Sequence, residues 1–200
     1  MQTTTRTPTL RGPVALIHLL LQRFVSPGDH TIDATCGNGK DTLVLAQLVG
    51  TSGHVTAFDI QSEALQRTAQ RLREADLSAQ TSLLCCGHEL MEQHVAPPVS
   101  AVVFNLGWLP GADRTIVTRP ETTLQALNSA CRLLKSGGIV LITCYPGHSG
   151  GDQETEEILS WSAALAPARY HVWRMSQPNT SADAPFCLLI QKTDPPCRSN

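Results

Sequence analysis

Two unbroken apolar runs constrain this chain most: Ser100-Ala-Val-Val-Phe-Asn105 and Gly138-Ile-Val-Leu-Ile-Thr-Cys144. A strand that is apolar at every position has both faces covered, whereas a sheet with one wet face alternates. Leu124, Leu127, Cys131 and Leu134 recur between the two runs at helical spacing. Strand, helix, strand with doubly buried strands predicts a parallel sheet covered by helices on both sides.

The rest of the chain extends this order. Val14, Ile17, Leu21 and Phe24 predict an amphipathic helix over 13–24, with Pro13 in its first turn. Strands are predicted at 31–35, 54–59, 81–86, 100–105 and 138–144. Helices are predicted at 40–49, stopped by Gly50, and at 61–74, with Leu65, Ala69 and Leu72 on one face. Thr118-Arg-Pro-Glu121 has capping-box spacing and opens the helix that Gly137-Gly138 ends. A helix over 152–165, strands over 169–175 and 185–192 and a loop over 178–185 complete the chain. The Thr-rich residues 1–12 are expected to be loose. Two hundred residues suit one domain, spanning 1–200.

Composition narrows the class. An apolar content of 42% and a net charge of −2 suit a water-exposed globular fold, and no like-charge block suggests a nucleic-acid tail. A pI near 6.4 leaves room only for a local basic patch on any RNA-facing cleft. The seven cysteines include no C-x-x-C pair and fall mostly in apolar runs. This predicts buried free thiols, the vicinal pair Cys85-Cys86 among them, and a reducing cytoplasmic compartment. The apolar stretch from Val14 to Val25 holds His18, Gln22 and Arg23 and is too short to span a bilayer, so no membrane association is expected. No His/Cys spacing suggests a metal site.

Ligands of such sheets bind at the carboxyl ends of the strands. Asp33-Ala-Thr-Cys-Gly-Asn-Gly-Lys-Asp41, Asp59, His88, Asn105 and Tyr145 all follow predicted strands and converge on one edge. The glycine turn admits three ligands. A P-loop needs G-x-x-x-x-G-K-[ST], but Asp41 follows Lys40 and Ala34 stands at the first glycine. A dinucleotide turn needs a third glycine where Thr42 stands. S-adenosylmethionine remains, and its cationic amino-acid end suits an acidic residue before the glycines. Asp59 is placed to accept hydrogen bonds from both ribose hydroxyls. Asn105-Leu-Gly-Trp108 resembles the Asn-Pro-Pro-aromatic motif of amino-group methyltransferases. There an Asn carbonyl oxygen orients an amine and an aromatic ring stacks on a base.

Four segments together resemble one family. They are Asp33 to Asp41, Asn105-Leu-Gly-Trp-Leu-Pro-Gly111 with Asp113, Arg119-Pro-Glu-Thr-Thr123, and Tyr145-Pro-Gly-His-Ser-Gly-Gly151. The family is the tRNA 5-aminomethyl-2-thiouridine methyltransferases of the wobble uridine, long labelled rRNA methylases. The resemblance runs from about Gly12 to Lys192, with Trp108 where Tyr is expected and Ala112 where a second glycine is expected.

The resemblance implies an α/β, Rossmann-like class I methyltransferase fold with a seven-stranded, mostly parallel sheet. It implies methyl transfer from S-adenosylmethionine to the primary amine of 5-aminomethyl-(2-thio)uridine. The expected cofactor residues are Asp33, Thr35, Cys36, Gly37, Asn38, Gly39, Asp41, Asp59, Gln61, His88 and Asn105. Asn105 is the expected orienting residue, and either Asp113 or His148 takes or stabilises the proton. Trp108, Arg114, Arg119 and Tyr145 are expected to hold substrate, and Glu121 to serve the capping box. The expected partner is the tRNA anticodon arm, and the helix over 13–24 with the final strands offers a homodimer surface. Alternatives are a methyltransferase on rRNA or a small-molecule amine, a non-catalytic binding partner, or a nicotinamide-dependent oxidoreductase. The last lacks both its third glycine and a Tyr-x-x-x-Lys pair.

Overall fold

The computed structural model describes residues 10–107, 117–147 and 150–194. Trp108, Asp113, Arg114 and His148 lie outside the described residues, as does most of the 1–12 segment. The elements follow the predicted order: α1 (Pro13–Phe24), β1 (His30–Asp33), α2 (Lys40–Val49), β2 (His54–Asp59), α3 (Ser62–Glu74) and β3 (Thr81–Cys85) come first. Then follow a 3₁₀ turn (His88–Leu90), α4 (Met91–His94), β4 (Val99–Asn105), α5 (Pro120–Leu133), β5 (Leu134–Cys144), α6 (Gly151–Ala163), β6 (Tyr170–Met175) and β7 (Phe186–Lys192).

The strands form one seven-stranded sheet in the order β3-β2-β1-β4-β5-β7-β6. Strands β1 to β5 pair in parallel, and β7 runs antiparallel to both β5 and β6. Strand β4 explains the apolar run, because alternate residues enter different cores. Ala101 and Val103 pack with Ile17 and Leu21 of α1 and Leu45 of α2, while Val102 and Phe104 pack with Met91, Leu127 of α5 and Ile158 of α6. Phe58 and Phe104 are fully buried, each burial contributing about 1.5–3 kcal/mol. The order reverses between β1 and β4, which neighbour each other with β1 leading back to β2, and ligands of such sheets bind at the carboxyl ends of the strands at this switch point. Among the described residues, no helix is long and apolar enough to cross a membrane.

Four local expectations are corrected. Thr118 caps nothing: Arg119 is the N-cap of α5 with no side-chain cap bond, and Glu121 is exposed. The Thr118 hydroxyl donates to Glu154 instead (2.7 Å) and accepts the Gly107 N–H (2.9 Å). The Gly137-Gly138 pair does not end α5, which stops at Leu133. The two glycines lie within β5, where pairing with β4 jumps from Val99↔Leu134 to Ala101↔Ile139. Cys85 is exposed and Cys86 only partly buried, because β3 is an edge strand. The buried stripe of α3 is Ala64, Thr68 and Leu72, since the glycine turn sits over Thr68.

Candidate active site

The β1–α2 turn is held by a series of hydrogen bonds. Asp33, fully buried at the end of β1, accepts the Thr42 hydroxyl on Oδ2 (2.6 Å) and the Thr35 N–H on Oδ1 (3.2 Å). The Cys36 N–H donates to the Phe58 carbonyl (2.9 Å) and the Gly39 N–H to the Cys36 carbonyl (2.7 Å). Gly39 is left-handed (φ +73°) and forms the N-cap of α2. A Cβ there would lie 2.7 Å from Thr68 Oγ1 and 3.0 Å from Thr68 Cα, so only glycine lets α3 approach. Helix α3 also grips Asn38: Arg71 Nε donates to its carbonyl (2.9 Å) and Arg67 to its Oδ1 (3.2 Å). The Asn38 side chain is thus engaged by α3.

Asp59 ends β2 and joins two loops. Its Oδ2 accepts the Gly37 N–H and its Oδ1 the Gln61 N–H, both at 2.9 Å. Each carboxylate oxygen keeps a further lone pair for a ligand hydroxyl. Ile60, beside it, is 60% exposed. His88 lies buried after β3, with Nδ1 3.1 Å from the Ala34 carbonyl and its ring edge-on to Phe104. A carbonyl accepts only, so Nδ1 carries the proton and Nε2 is the acceptor. Burial pushes the imidazole below its usual range and keeps it neutral.

Asn105 stands at the end of β4, opposite the glycine turn. Its N–H donates to Thr35 Oγ1 (2.7 Å), and its Nδ2 donates to Asp41 Oδ2. Asp41 Oδ1 in turn lies 2.6 Å from His18 Nε2 of α1. Asn105 Oδ1 is buried without a partner among the described residues. A buried acceptor left empty is costly and marks a place for a further donor. Tyr145 follows β5, partly buried. Its phenol is pushed up first by burial and then by the charge of Asp41, so it stays neutral. Arg119 is exposed at the start of α5. Asp33, Thr35, Cys36, Gly37, Asn38, Gly39, Asp41, Asp59, Gln61, His88 and Asn105 therefore gather at the carboxyl edge of the parallel strands.

This edge is acidic. Burial, and then the charge of Asp41, pushes the Asp33 carboxyl up to about 7. Carboxylates pressed together this way fit a cationic ligand, and the sulfonium and ammonium of S-adenosylmethionine supply two positive charges. The Cys36 thiol is pushed up by burial and by Asp33, so it is a packing group rather than a nucleophile. Among the described residues, no cluster of three or more His, Cys, Asp or Glu residues is arranged to hold a metal ion.

Sequence reasoning missed several residues. His18 sits on an apolar helix and gives no local signal. Arg67 and Arg71 carry a weak one, their four-residue spacing on one face of α3. Glu154 is buried in α6 and accepts the hydroxyls of Thr118 and Thr123, both at 2.7 Å. It fastens both ends of the segment after Asn105, because Thr118 also holds Gly107. Nothing in its spacing from Thr118 announces this.

Known proteins match this frame. A family model described as "Putative rRNA methylase" matches residues 55–191. A second, Protein-L-isoaspartate(D-aspartate) O-methyltransferase, matches residues 2–103, the half that carries the glycine turn, Asp59 and His88 but stops before Asn105. A protein of Arabidopsis thaliana named "tRNA (mnm(5)s(2)U34)-methyltransferase, chloroplastic" is 39% identical over 158 residues, 74% of this chain and 58% of that protein. The chain thus spans a little over half the length of that curated relative. A "putative rRNA-methylase" from Clostridium thermocellum superposes with TM-score 0.90 at 40% identity, covering 92% of this chain and 99% of that one. A Streptococcus mutans protein, "SMU.1697c, a putative methyltransferase", solved with SAH, gives TM-score 0.83 at 32% identity, with cover of 92% and 99%. The family match over most of the chain, together with these relatives and the shared sheet, makes this chain a member of the rRNA methylase family, with the class I methyltransferase fold.

Proposed function

We propose that the protein methylates the primary amine of 5-aminomethyl-(2-thio)uridine at the wobble position of tRNA, giving the 5-methylaminomethyl nucleoside. The observation that carries the chemistry is Asn105. Asp41 accepts from Nδ2, which turns the bare, buried Oδ1 the other way, ready to accept an N–H from an amine. The nucleoside is suggested by the plant relative's printed name, and by the acceptor segment's resemblance to that family.

The cofactor supplies an electrophilic methyl group on a sulfonium. Asp33 and Asp41 would meet its cationic end, the Gly37–Gly39 backbone would receive it, and Asp59 and Gln61 would take the ribose. Ile60 and His88 flank the base. Asn105 Oδ1 accepts one amine N–H and points the nitrogen lone pair at the methyl carbon. Bound there, the cofactor would supply the methyl carbon to that nitrogen, its sulfur keeping the electron pair of the broken bond. The new ammonium then gives up a proton to Asp113, to His148 or to water. Trp108 stacks on the uridine, and Arg114, Arg119 and Tyr145 hold the anticodon arm. The single domain works in the cytoplasm as a homodimer, with exposed Leu19 of α1 and Trp173 of β6 as its apolar contacts.

Nucleoside analysis of bulk tRNA from cells lacking the gene tests this. The unmethylated 5-aminomethyl nucleoside should accumulate. Unchanged tRNA together with a lost methyl mark in rRNA would favour the rRNA reading that the family's description suggests.

A further inference from the structure

We infer that His18 of α1 is a positioning residue for methyl transfer, acting through Asp41 on the amide of Asn105. The inference rests on the proposed amine-orienting role of Asn105. An Asn amide can present either its oxygen or its NH₂ group after a half-turn, and only one of these accepts an amine hydrogen. Asp41 decides between them. As a carboxylate it only accepts, so the Nδ2 side of Asn105 must face it and Oδ1 must face away. Asp41 therefore has to keep one rotamer, with Oδ2 toward the Asn105 amide. Its side chain is 9% exposed, and a rotation that carried Oδ2 away would free the Asn105 amide to turn over.

His18 is the group that holds that rotamer. Its Nε2 lies 2.6 Å from Asp41 Oδ1, on the oxygen that Asn105 does not use. A hydrogen bond from the ring holds the carboxylate rotamer. His18 is itself held firmly, since Ile17 beside it and Leu21 one turn on are fully buried against the sheet. Helix α1 is thereby part of the active site, although it lies outside the 55–191 span of the family match.

The test uses the whole protein, with tRNA carrying 5-aminomethyl-2-thiouridine as substrate. His18→Ala should lower kcat about tenfold, the effect of one lost hydrogen bond. KM for tRNA should stay within about twofold, and any loss of S-adenosylmethionine affinity, carried through Asp41, should be smaller than the loss in kcat. His18→Gln, whose Nε2 can donate from a similar place, should restore kcat to within about threefold. Wild-type kcat in His18→Ala overturns the inference. So does an equal loss in the Ala and Gln variants, or a loss carried by cofactor affinity alone. A second readout needs no substrate. The side-chain amide resonances of Asn105, assigned by their disappearance in Asn105→Ala, should shift in His18→Ala and return in His18→Gln. Resonances unmoved in His18→Ala also overturn it. A wild-type protein that leaves the aminomethyl tRNA unmethylated refutes the substrate reading instead, while the resonances still decide the role of His18.

Discussion

Gly39→Ala tests how the cofactor turn is built. Two effects add. Alanine at φ +73° sits in the left-handed region, which costs about 1–2 kcal/mol. The new methyl would lie 2.7 Å from Thr68 Oγ1, 2.9 Å from Thr68 Cγ2 and 3.0 Å from Thr68 Cα. The first two contacts can yield by a rotamer change, though that breaks the Thr68 hydroxyl's bond to the Gly37 carbonyl (3.0 Å). The third is backbone, so α3 itself must move away, an overpacking cost of about 1–3 kcal/mol. The sum is about 2–5 kcal/mol, a large fraction of a typical domain's stability. Urea unfolding should show a lower midpoint with an unchanged slope. Displacing α3 also pulls Arg67 and Arg71 off Asn38, so cofactor affinity should fall more than stability alone explains. Thr68→Ala in the same chain removes the first two clashes but not the third, and should recover only part of the loss. Stability within about 0.5 kcal/mol of wild type in Gly39→Ala would refute the reasoning, because surface changes without strain fall in that range.

Two further predictions follow from the buried carboxyls. Glu154→Ala leaves the hydroxyls of Thr118 and Thr123 without their acceptor and should cost about 2–4 kcal/mol in denaturant. It should lower kcat more than cofactor affinity, since the segment it fastens follows Asn105; a variant with wild-type kcat would contradict this. The second concerns pH. The Asp33 carboxyl is raised in the folded chain from its ordinary 3.8 to about 7, so its neutral form is favoured by folding. Its contribution to stability is therefore present below about pH 4 and is lost as pH rises through about 7. A cationic cofactor stabilises the carboxylate, so binding near pH 6.5 should release a proton. Calorimetry in buffers of different ionisation enthalpy should detect it, and Asp33→Asn should abolish it; proton uptake would contradict the assignment.

The frame was legible because both of its signals are local. Strand β4 reads as doubly buried from six residues, and Asp33, Gly37, Gly39 and Asp59 sit at strand ends that periodicity alone locates. What escaped depends on partners far apart in the chain. His18 meets Asp41 only because α1 packs across β4, β5 and β7, a placement that no local pattern encodes. Thr118 and Glu121 have capping-box spacing, but a buried carboxylate on α6 competes for the hydroxyl and wins. Cys85 looks like a core residue by composition and is exposed because its strand is last in the order. Four residues of α4 are too few to show a period.

The central claim is that Asn105 orients an amine on tRNA for methylation. Its most direct measurement incubates the purified protein with S-adenosylmethionine and tRNA bearing 5-aminomethyl-2-thiouridine, then separates the nucleosides by mass. Wild type should convert the aminomethyl nucleoside to its 5-methylaminomethyl form, and Asn105→Ala should bind the cofactor with near wild-type affinity yet convert none. Conversion by Asn105→Ala at the wild-type rate, or no conversion by wild type, would contradict the account.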